Sequence, residues 1–187
     1  MKNTITLLLL LLSFNFYGQR VVAIENFQGD SPYDGIHTLK YYKDINHLYD
    51  KFLGTWKYQN ATVNPTVIVE IRFYKQERVD NGGNYFSDEI YGRVKLTKNG
   101  QVMYNTLTGV GMSHYLIGIS VNQENNSKLF LSYNEPIVPN RHNKCYVDIL
   151  YAPTTPAQLT WEMDWYGIDG VGTAPEMPLD MVLTKIN

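Results

Sequence analysis

From residue 54 onward the chain repeats one pattern, in which short apolar and polar alternations are separated by turn-forming residues. In one such run the apolar positions are Val67, Val69, Ile71 and Phe73. A period of two is typical of a half-buried β-strand. About nine runs of this kind are bounded by clusters of Gly, Pro, Asn and Ser. They cover residues 54–59, 67–74, 90–96, 102–108, 116–121, 128–133, 144–151, 159–166 and 179–186.

The connections between these runs favour a barrel. Lys98-Asn99-Gly100 indicates a tight hairpin, because Asn-Gly tolerates the positive φ that a type I′ turn needs. Consecutive hairpins favour an up-and-down meander, and a meander of about eight strands can close around one small ligand. Gly92 inside a strand fits a bend at a barrel corner. We therefore predict an all-β, antiparallel up-and-down barrel of about eight or nine strands, with a β-sandwich as the alternative.

The first residues have the pattern of a secretory signal. Lys2 precedes an apolar run over residues 5–12 and a short polar-aromatic stretch that ends near Gly18. The apolar run is too short for a spanning helix, and no second apolar stretch follows. The sequence thus predicts a signal peptide over residues 1–18, no transmembrane anchor, and export to the periplasm or the cell exterior.

Two further segments complete the predicted organisation. Residues 19–43 are rich in turn formers such as Gly29, Pro32 and Gly35, which indicates an irregular N-terminal lead. Asp44 resembles a helix N-cap, and the apolar residues that follow it have helical spacing, so a short helix is expected to lead into the first barrel strand. The barrel domain is predicted to span residues 44–187.

Charge and cysteine content exclude several functions. The chain has 16 basic and 18 acidic residues, a balance without the basic footprint of a nucleic-acid-binding protein. Cys145 is the only cysteine, so no internal disulfide is expected, and its alternation with two apolar neighbours indicates a buried position. His142-x-x-Cys145 lacks the second ligand pair that zinc usually requires. We expect no metal site and no cofactor.

The search for catalytic residues gives no nucleophile with its base. Ser113 and His114 are neighbours, but adjacent strand residues point to opposite faces. No G-x-S-x-G elbow is present. Glu162 and Asp164 share a face, which is the outer one if the aromatic residues between and beside them point inward. The sequence therefore predicts a protein that is not an enzyme.

Phe52-x-Gly54-x-Trp56 at the start of the meander resembles the lipocalin and fatty-acid-binding superfamily. The resemblance implies that Gly54 lets the first strand bend and that Trp56 plugs the closed end of the barrel. Lipocalins place an Arg near the last strand that stacks on this Trp. This chain offers Lys185 near its end, a point charge that is expected to pack less well than a planar guanidinium. Fatty-acid-binding proteins hold a carboxylate with an Arg-x-Tyr pair near the end of the chain, and no such pair occurs near the end of this sequence, so a bound fatty acid is not implied.

A closer resemblance covers residues 42–100. Tyr42-Lys43-Asp44-Ile45-Asn46, Asp50-Lys51-Phe52-Leu53-Gly54-Thr55-Trp56-Lys57-Tyr58 and Lys98-Asn99-Gly100 are similar to a family of uncharacterised exported proteins of flavobacteria. That family has no assigned activity, so the resemblance implies fold and export only.

The aromatic alternation gives the candidate site. The inward faces of several strands are expected to converge in the barrel, and a ligand is predicted to contact Phe73, Tyr133, Tyr151, Trp161, Met163 and Trp165. Aromatic walls with a few hydroxyl groups are typical of small-molecule sites. The predicted function is non-catalytic binding of a small apolar or amphiphilic molecule. The alternative is a barrel filled by its own side chains, which binds a protein or glycan through loops 81–87, 136–143 and 166–178. Protein partners remain open.

Overall fold

The computed structural model describes residues 19–27, 29–30, 39–60, 66–108, 115–122, 125–136, 145–165 and 175–186. The strands in this part of the chain are β1 (Arg20–Ala23), β2 (Lys40–Lys43), β3 (Gly54–Asn60), β4 (Val67–Asp80), β5 (Tyr85–Lys98), β6 (Gln101–Asn105), β7 (Leu116–Val121), β8 (Lys128–Tyr133), β9 (Cys145–Ala152), β10 (Gln158–Trp165) and β11 (Asp180–Lys185). A 3-10 turn at Ile24–Asn26 follows β1.

Eight of these strands close into an antiparallel barrel, in the order β3, β4, β5, β7, β8, β9, β10 and β11. β11 returns to β3 through the pair Lys185 and Trp56. The closing contact between β5 and β7 consists of two pairs, Tyr91 with Ile117 and Gly92 with Leu116. The all-β fold and the up-and-down barrel predicted from the sequence are confirmed.

Each predicted run contains a strand, and the hairpin at Asn99-Gly100 is confirmed because both residues have positive φ, 49° and 77°. β6 differs from the prediction in its place. It pairs with the last residues of β5 and lies off the closed path, so β7 follows β5 around the barrel. Thr106 continues this contact by bonding to both backbone groups of Val94.

One edge of β5 serves three partners. β2 pairs with residues 85–87, β7 with residues 91–92 and β6 with residues 95–98. This is possible because β4 and β5 are 14 residues each and extend beyond the barrel wall. β1 and β2 run parallel to each other on this extension. The segment expected to be an irregular lead thus contributes two short strands, and β1 is an edge strand.

The helix predicted to lead into the barrel is not found, and residues 44–53 form consecutive turns instead. His47 has a φ of 54°, a left-handed conformation that interrupts any helix at this point. The backbone then makes short-range bonds, such as Phe52 N to Tyr49 O at 2.9 Å. Asp44 still caps the segment, since its carboxylate accepts from the amides of Leu48 and Tyr49.

The buried carboxylate of Asp88 joins β5 to three other segments. Asp88 is 1% exposed and accepts from the Tyr41 hydroxyl of β2 at 2.5 Å. It also accepts from the amides of Asp44 at 2.9 Å and Arg78 at 3.1 Å. Arg78 lies in a bulge of β4 and has a φ of 53°. Asp88 therefore fixes the bulge and the turn segment against the extended hairpin.

Two glycines allow β5 and β7 to approach. A Cβ at Gly118 would lie 2.2 Å from Ile90 Cγ2, and a Cβ at Gly92 would lie 2.8 Å from Leu116 Cβ. Both distances are far below an ordinary van der Waals contact. The contact between β5 and β7, here called the seam, therefore requires glycine at both positions.

Gly118→Ala is expected to lower the free energy of unfolding by about 1–3 kcal/mol, because the new methyl group collides with Ile90 in a packed interior. Chemical denaturation followed by fluorescence measures this change. The control is Val182→Ala, at a side chain that is 48% exposed on β11. Equal stability of wild type and Gly118→Ala would show that the seam is not tightly packed.

Asp88→Asn is expected to destabilise the fold by about 1–3 kcal/mol. The substitution replaces one carboxylate oxygen by an NH2 group, which cannot accept the hydrogen bond that a hydroxyl or amide group donates to that oxygen. The matched control is Asp80→Asn, an exposed carboxylate of the same hairpin that accepts a single bond from Gly83 N. We expect little change there. Similar thermal midpoints for the two variants would contradict the role assigned to Asp88.

Candidate functional site

Trp56 lies at the end of the barrel where β3 begins and β11 ends, here called the base. The side chain is 0% exposed, and its Nε1 donates to the Phe52 carbonyl at 2.7 Å. The Tyr151 ring meets the rings of Phe52 and Trp56 edge-on, with centroids 6.1 Å and 6.5 Å away. Gly54, with a φ of 106°, starts the strand in a conformation that favours glycine. The residues of the Phe52-x-Gly54-x-Trp56 motif therefore lie together at the base of the barrel.

Lys185 lies over the Trp56 ring, with its Nζ 5.2 Å from the ring centroid. The pair is brought together by the register of β11 against β3, in which Lys185 and Trp56 are directly opposite. A cation at this distance is attracted to the indole face and contributes about 0.5–1 kcal/mol at a partly exposed site. Lys185 therefore links the last strand, β11, to the Trp56 ring of β3.

The opposite end, here called the distal end, is where β8 ends at Tyr133 and β9 begins at Cys145. An inward cluster of aromatic and thioether side chains occupies it. This distal cluster consists of Tyr104, Tyr133, Trp161, Met163, Met177 and Met181, each of them buried. Trp161 and Met181 are directly opposite on β10 and β11, and Met163 is two residues further on the same face.

The hydroxyl groups of Tyr104 and Tyr133 in the distal cluster are hydrogen-bonded to each other. The Tyr104 and Tyr133 oxygens are 2.8 Å apart, and Tyr104 is also within 3.4 Å of Glu135 Oε1. Burial raises the pKa of both phenols well above the ordinary value, and the negative charge of Glu135 adds to the effect. Both hydroxyl groups are therefore neutral at any ordinary pH.

Glu135 anchors the segment that enters β11. Its Oε1 accepts from the amides of Glu176 at 2.8 Å and Met177 at 3.1 Å. These bonds hold Met177 against the cluster, where the side chain is 2% exposed. The loop before β11 is thereby tied to the end of β8.

Trp161 is the unusual member of the distal cluster. Its side chain is 0% exposed and meets the Tyr133 ring edge-on, with centroids 6.1 Å apart. Its Nε1 is buried and has no hydrogen-bond partner within the described part of the chain. A buried donor left unsatisfied costs about 1–3 kcal/mol, so such a group calls for an explanation.

The structure brings together three of the predicted ligand contacts, namely Tyr133, Trp161 and Met163. Tyr151 is at the base, and Phe73 is at the seam, beside Gly92. Trp165 ends β10, and its side chain lies outside the described residues. The alternation of the strands identifies the inward face but not the height of a residue along the barrel. The predicted set of ligand contacts therefore contains residues from both ends.

Sequence analysis missed Tyr104, Glu135, Met177 and Met181. Tyr104 is on β6, which pairs with the end of β5 outside the closed path, so strand alternation does not indicate its place at the distal end. Met181 alternates with Leu183 on β11, a signal that could have identified it. Glu135 and Met177 lie outside strands, where no periodicity marks them.

A second feature is a surface depression of about 410 Å³ beside β1, lined by Arg20, Val22, Asn26, Gly29 and Asp30. Asp30 Oδ1 is 3.0 Å from Lys40 Nζ, which is 1% exposed, and 3.9 Å from Arg20 Nη1. The Asp30 carboxylate therefore lies between two cations. The depression was not predicted from the sequence.

Searches for metal-binding groups and for membrane-spanning helices found neither in the described part of the chain. No three His, Cys, Asp or Glu side chains there are placed to hold a metal ion. No helix in the same residues is long and apolar enough to cross a membrane. His142 of the His142-x-x-Cys145 spacing lies outside the described residues.

Comparisons with known proteins assign a family but no activity. No curated protein and no solved structure matches the chain. The closed eight-stranded barrel is compatible with the lipocalin-like fold that the sequence motif implies. Residues 1–164 match a family described as Family of unknown function (DUF6705). Because this match covers most of the sequence, the chain belongs to that family of unknown function.

Proposed function

We propose that this protein is an exported, non-catalytic binding protein that holds a small, mostly apolar molecule at the distal end of its barrel. The observation that carries the proposal is the buried Nε1 of Trp161, which has no partner among the described residues. A ligand acceptor at this atom would remove the cost of the unsatisfied donor. The signal pattern of residues 1–18 supports export to the periplasm or the cell exterior.

The composition of the distal cluster supports this function. Three of its members are methionines, whose exposed fractions are 5% for Met163, 2% for Met177 and 5% for Met181. Methionine has three rotatable bonds and fills irregular space, so it can be displaced by a ligand at little cost. Tyr133 and Trp161 supply flat apolar walls. A ligand enters when the methionines change rotamer.

The polar groups of the cluster favour binding over catalysis. Burial holds the pKa of Tyr104 and Tyr133 too high for either phenol to act as a base near neutral pH. Glu135 Oε1 already accepts from two backbone amides, which is a structural task. These groups orient a ligand but offer no pair of nucleophile and base.

A second candidate function rests on the dense packing of the interior. Trp56, Trp161 and Tyr133 are all 0% exposed, as in a barrel filled by its own side chains. Recognition of a protein or glycan would then fall to the loops. The turn near residues 81–87 is ordered by Asn81, which donates to Ser87 Oγ at 2.8 Å. Most of loops 136–143 and 166–178 lies outside the described residues.

Native mass spectrometry of the exported protein, purified without detergent and then exposed to a mixed lipid and metabolite extract, tests the first candidate. We expect a discrete adduct that disappears on denaturation. A clean mass of the free protein, unchanged by the extract, would contradict ligand binding and favour the packed barrel.

Replacing each of the two buried tryptophans by Phe separates a satisfied donor from an unsatisfied one. Trp56→Phe removes the bond to the Phe52 carbonyl and is expected to cost about 1–3 kcal/mol more than Trp161→Phe, which removes no bond. Urea unfolding of both variants measures the difference. Trp161→Phe should also reduce the amount of adduct. An equal loss of stability in both variants would mean that Trp161 Nε1 has a partner in the free protein.

A further inference from the structure

We infer that the molecule held by the distal cluster is neutral and presents an oxygen acceptor, as a ketone, ester or alcohol does, to Nε1 of Trp161. This inference rests on the proposed function and narrows it to one class of ligand. It follows from the hydrogen atoms that the cluster offers and from the charges around it.

The described residues of the cluster leave one donor for a ligand. The Glu135 carboxylate can only accept, so Tyr104 donates to Oε1. The hydrogen between the two hydroxyl groups then comes from Tyr133. Both phenolic hydrogens are thereby used, whereas the indole N–H of Trp161 is not. A ligand that completes the cluster must therefore bring one acceptor.

The charges at the distal end disfavour an anionic acceptor. The charged groups that raise the pKa of the Tyr104 hydroxyl are the carboxylates of Glu135 and Glu176. Lys98, the cation beside Glu176, is already paired with it. A carboxylate ligand would lose its hydration on entering the cluster, and none of the six side chains of the cluster carries a positive charge to compensate for that loss.

A cationic ligand fails for a different reason. An ammonium group brings donors and no acceptor, so the Trp161 N–H would remain unsatisfied. A pure hydrocarbon has the same defect, because it also brings no acceptor. A neutral molecule with one oxygen satisfies the indole and carries no charge into the barrel.

Four probes with similar chains separate these classes: 2-decanone, decane, decanoate and decylammonium. Each is titrated into the purified full-length exported protein at pH 8, where the last two are ionised, and binding is followed by tryptophan fluorescence and calorimetry. We expect 2-decanone to bind about threefold to tenfold more tightly than decane, the worth of one neutral hydrogen bond. The two ions should bind at least about tenfold more weakly than the ketone.

The same titration of Trp161→Phe isolates the indole. The ratio of ketone to alkane affinity is compared within each protein, so general effects of the substitution on packing cancel. We expect the ratio to fall to about one in this variant, since Phe has no donor. An unchanged ratio would overturn the role of Nε1.

The remaining outcomes distinguish this inference from the function on which it rests. Tightest binding of decanoate or decylammonium would overturn the neutral class while ligand binding stands. If no probe binds and native mass spectrometry shows no adduct, the proposed function fails and the inference with it. If no probe binds but native mass spectrometry shows an adduct, the bound compound is identified from its mass. An ionic compound would overturn the inference, and a neutral compound with an oxygen acceptor would support it.

Discussion

Closure of the barrel depends on the close approach of β5 and β7, which make only two residue pairs. A wider contact is not possible, because the same edge of β5 also pairs with β2 and β6. The approach is allowed by Gly92 and Gly118, where a methyl group would overlap Leu116 or Ile90. The interior of the barrel depends on this seam, because only a closed barrel encloses both the side chains around Trp56 and those of the distal cluster.

The two ends of the barrel treat a buried tryptophan in opposite ways. At the base, Trp56 donates to a backbone carbonyl and carries Lys185 over its ring, so its polar atom and its π face are both engaged. At the distal end, Trp161 is equally buried but its N–H is not bonded to any described group. A satisfied group specifies the fold, whereas a buried unsatisfied one adds a cost that calls for an explanation. This contrast distinguishes the base, at Trp56, from the candidate site, at Trp161.

Most of the barrel could be predicted from the sequence because strand alternation and turn residues are local signals. Asn99-Gly100 fixed one hairpin through the conformations that these two residues tolerate. The parallel pairing of β1 with β2 could not be predicted, since four residues are too few to show a period. The helix expected after Asp44 failed because the left-handed φ of His47 is set by its surroundings and leaves no mark in the spacing of apolar residues.

The candidate site was predictable only in part, for a geometric reason. Alternation assigns a residue to the inner face, but the height of that residue depends on the stagger between strands, which is a property of the closed barrel. Tyr133 and Tyr151 both point inward, yet one contacts Trp161 and the other contacts Trp56 at the opposite end. The unsatisfied state of Trp161 is still less visible, because it depends on which acceptors the fold brings near. Only the folded chain therefore distinguishes Trp161, whose buried N–H has no acceptor among the described residues, from the other inward aromatic side chains.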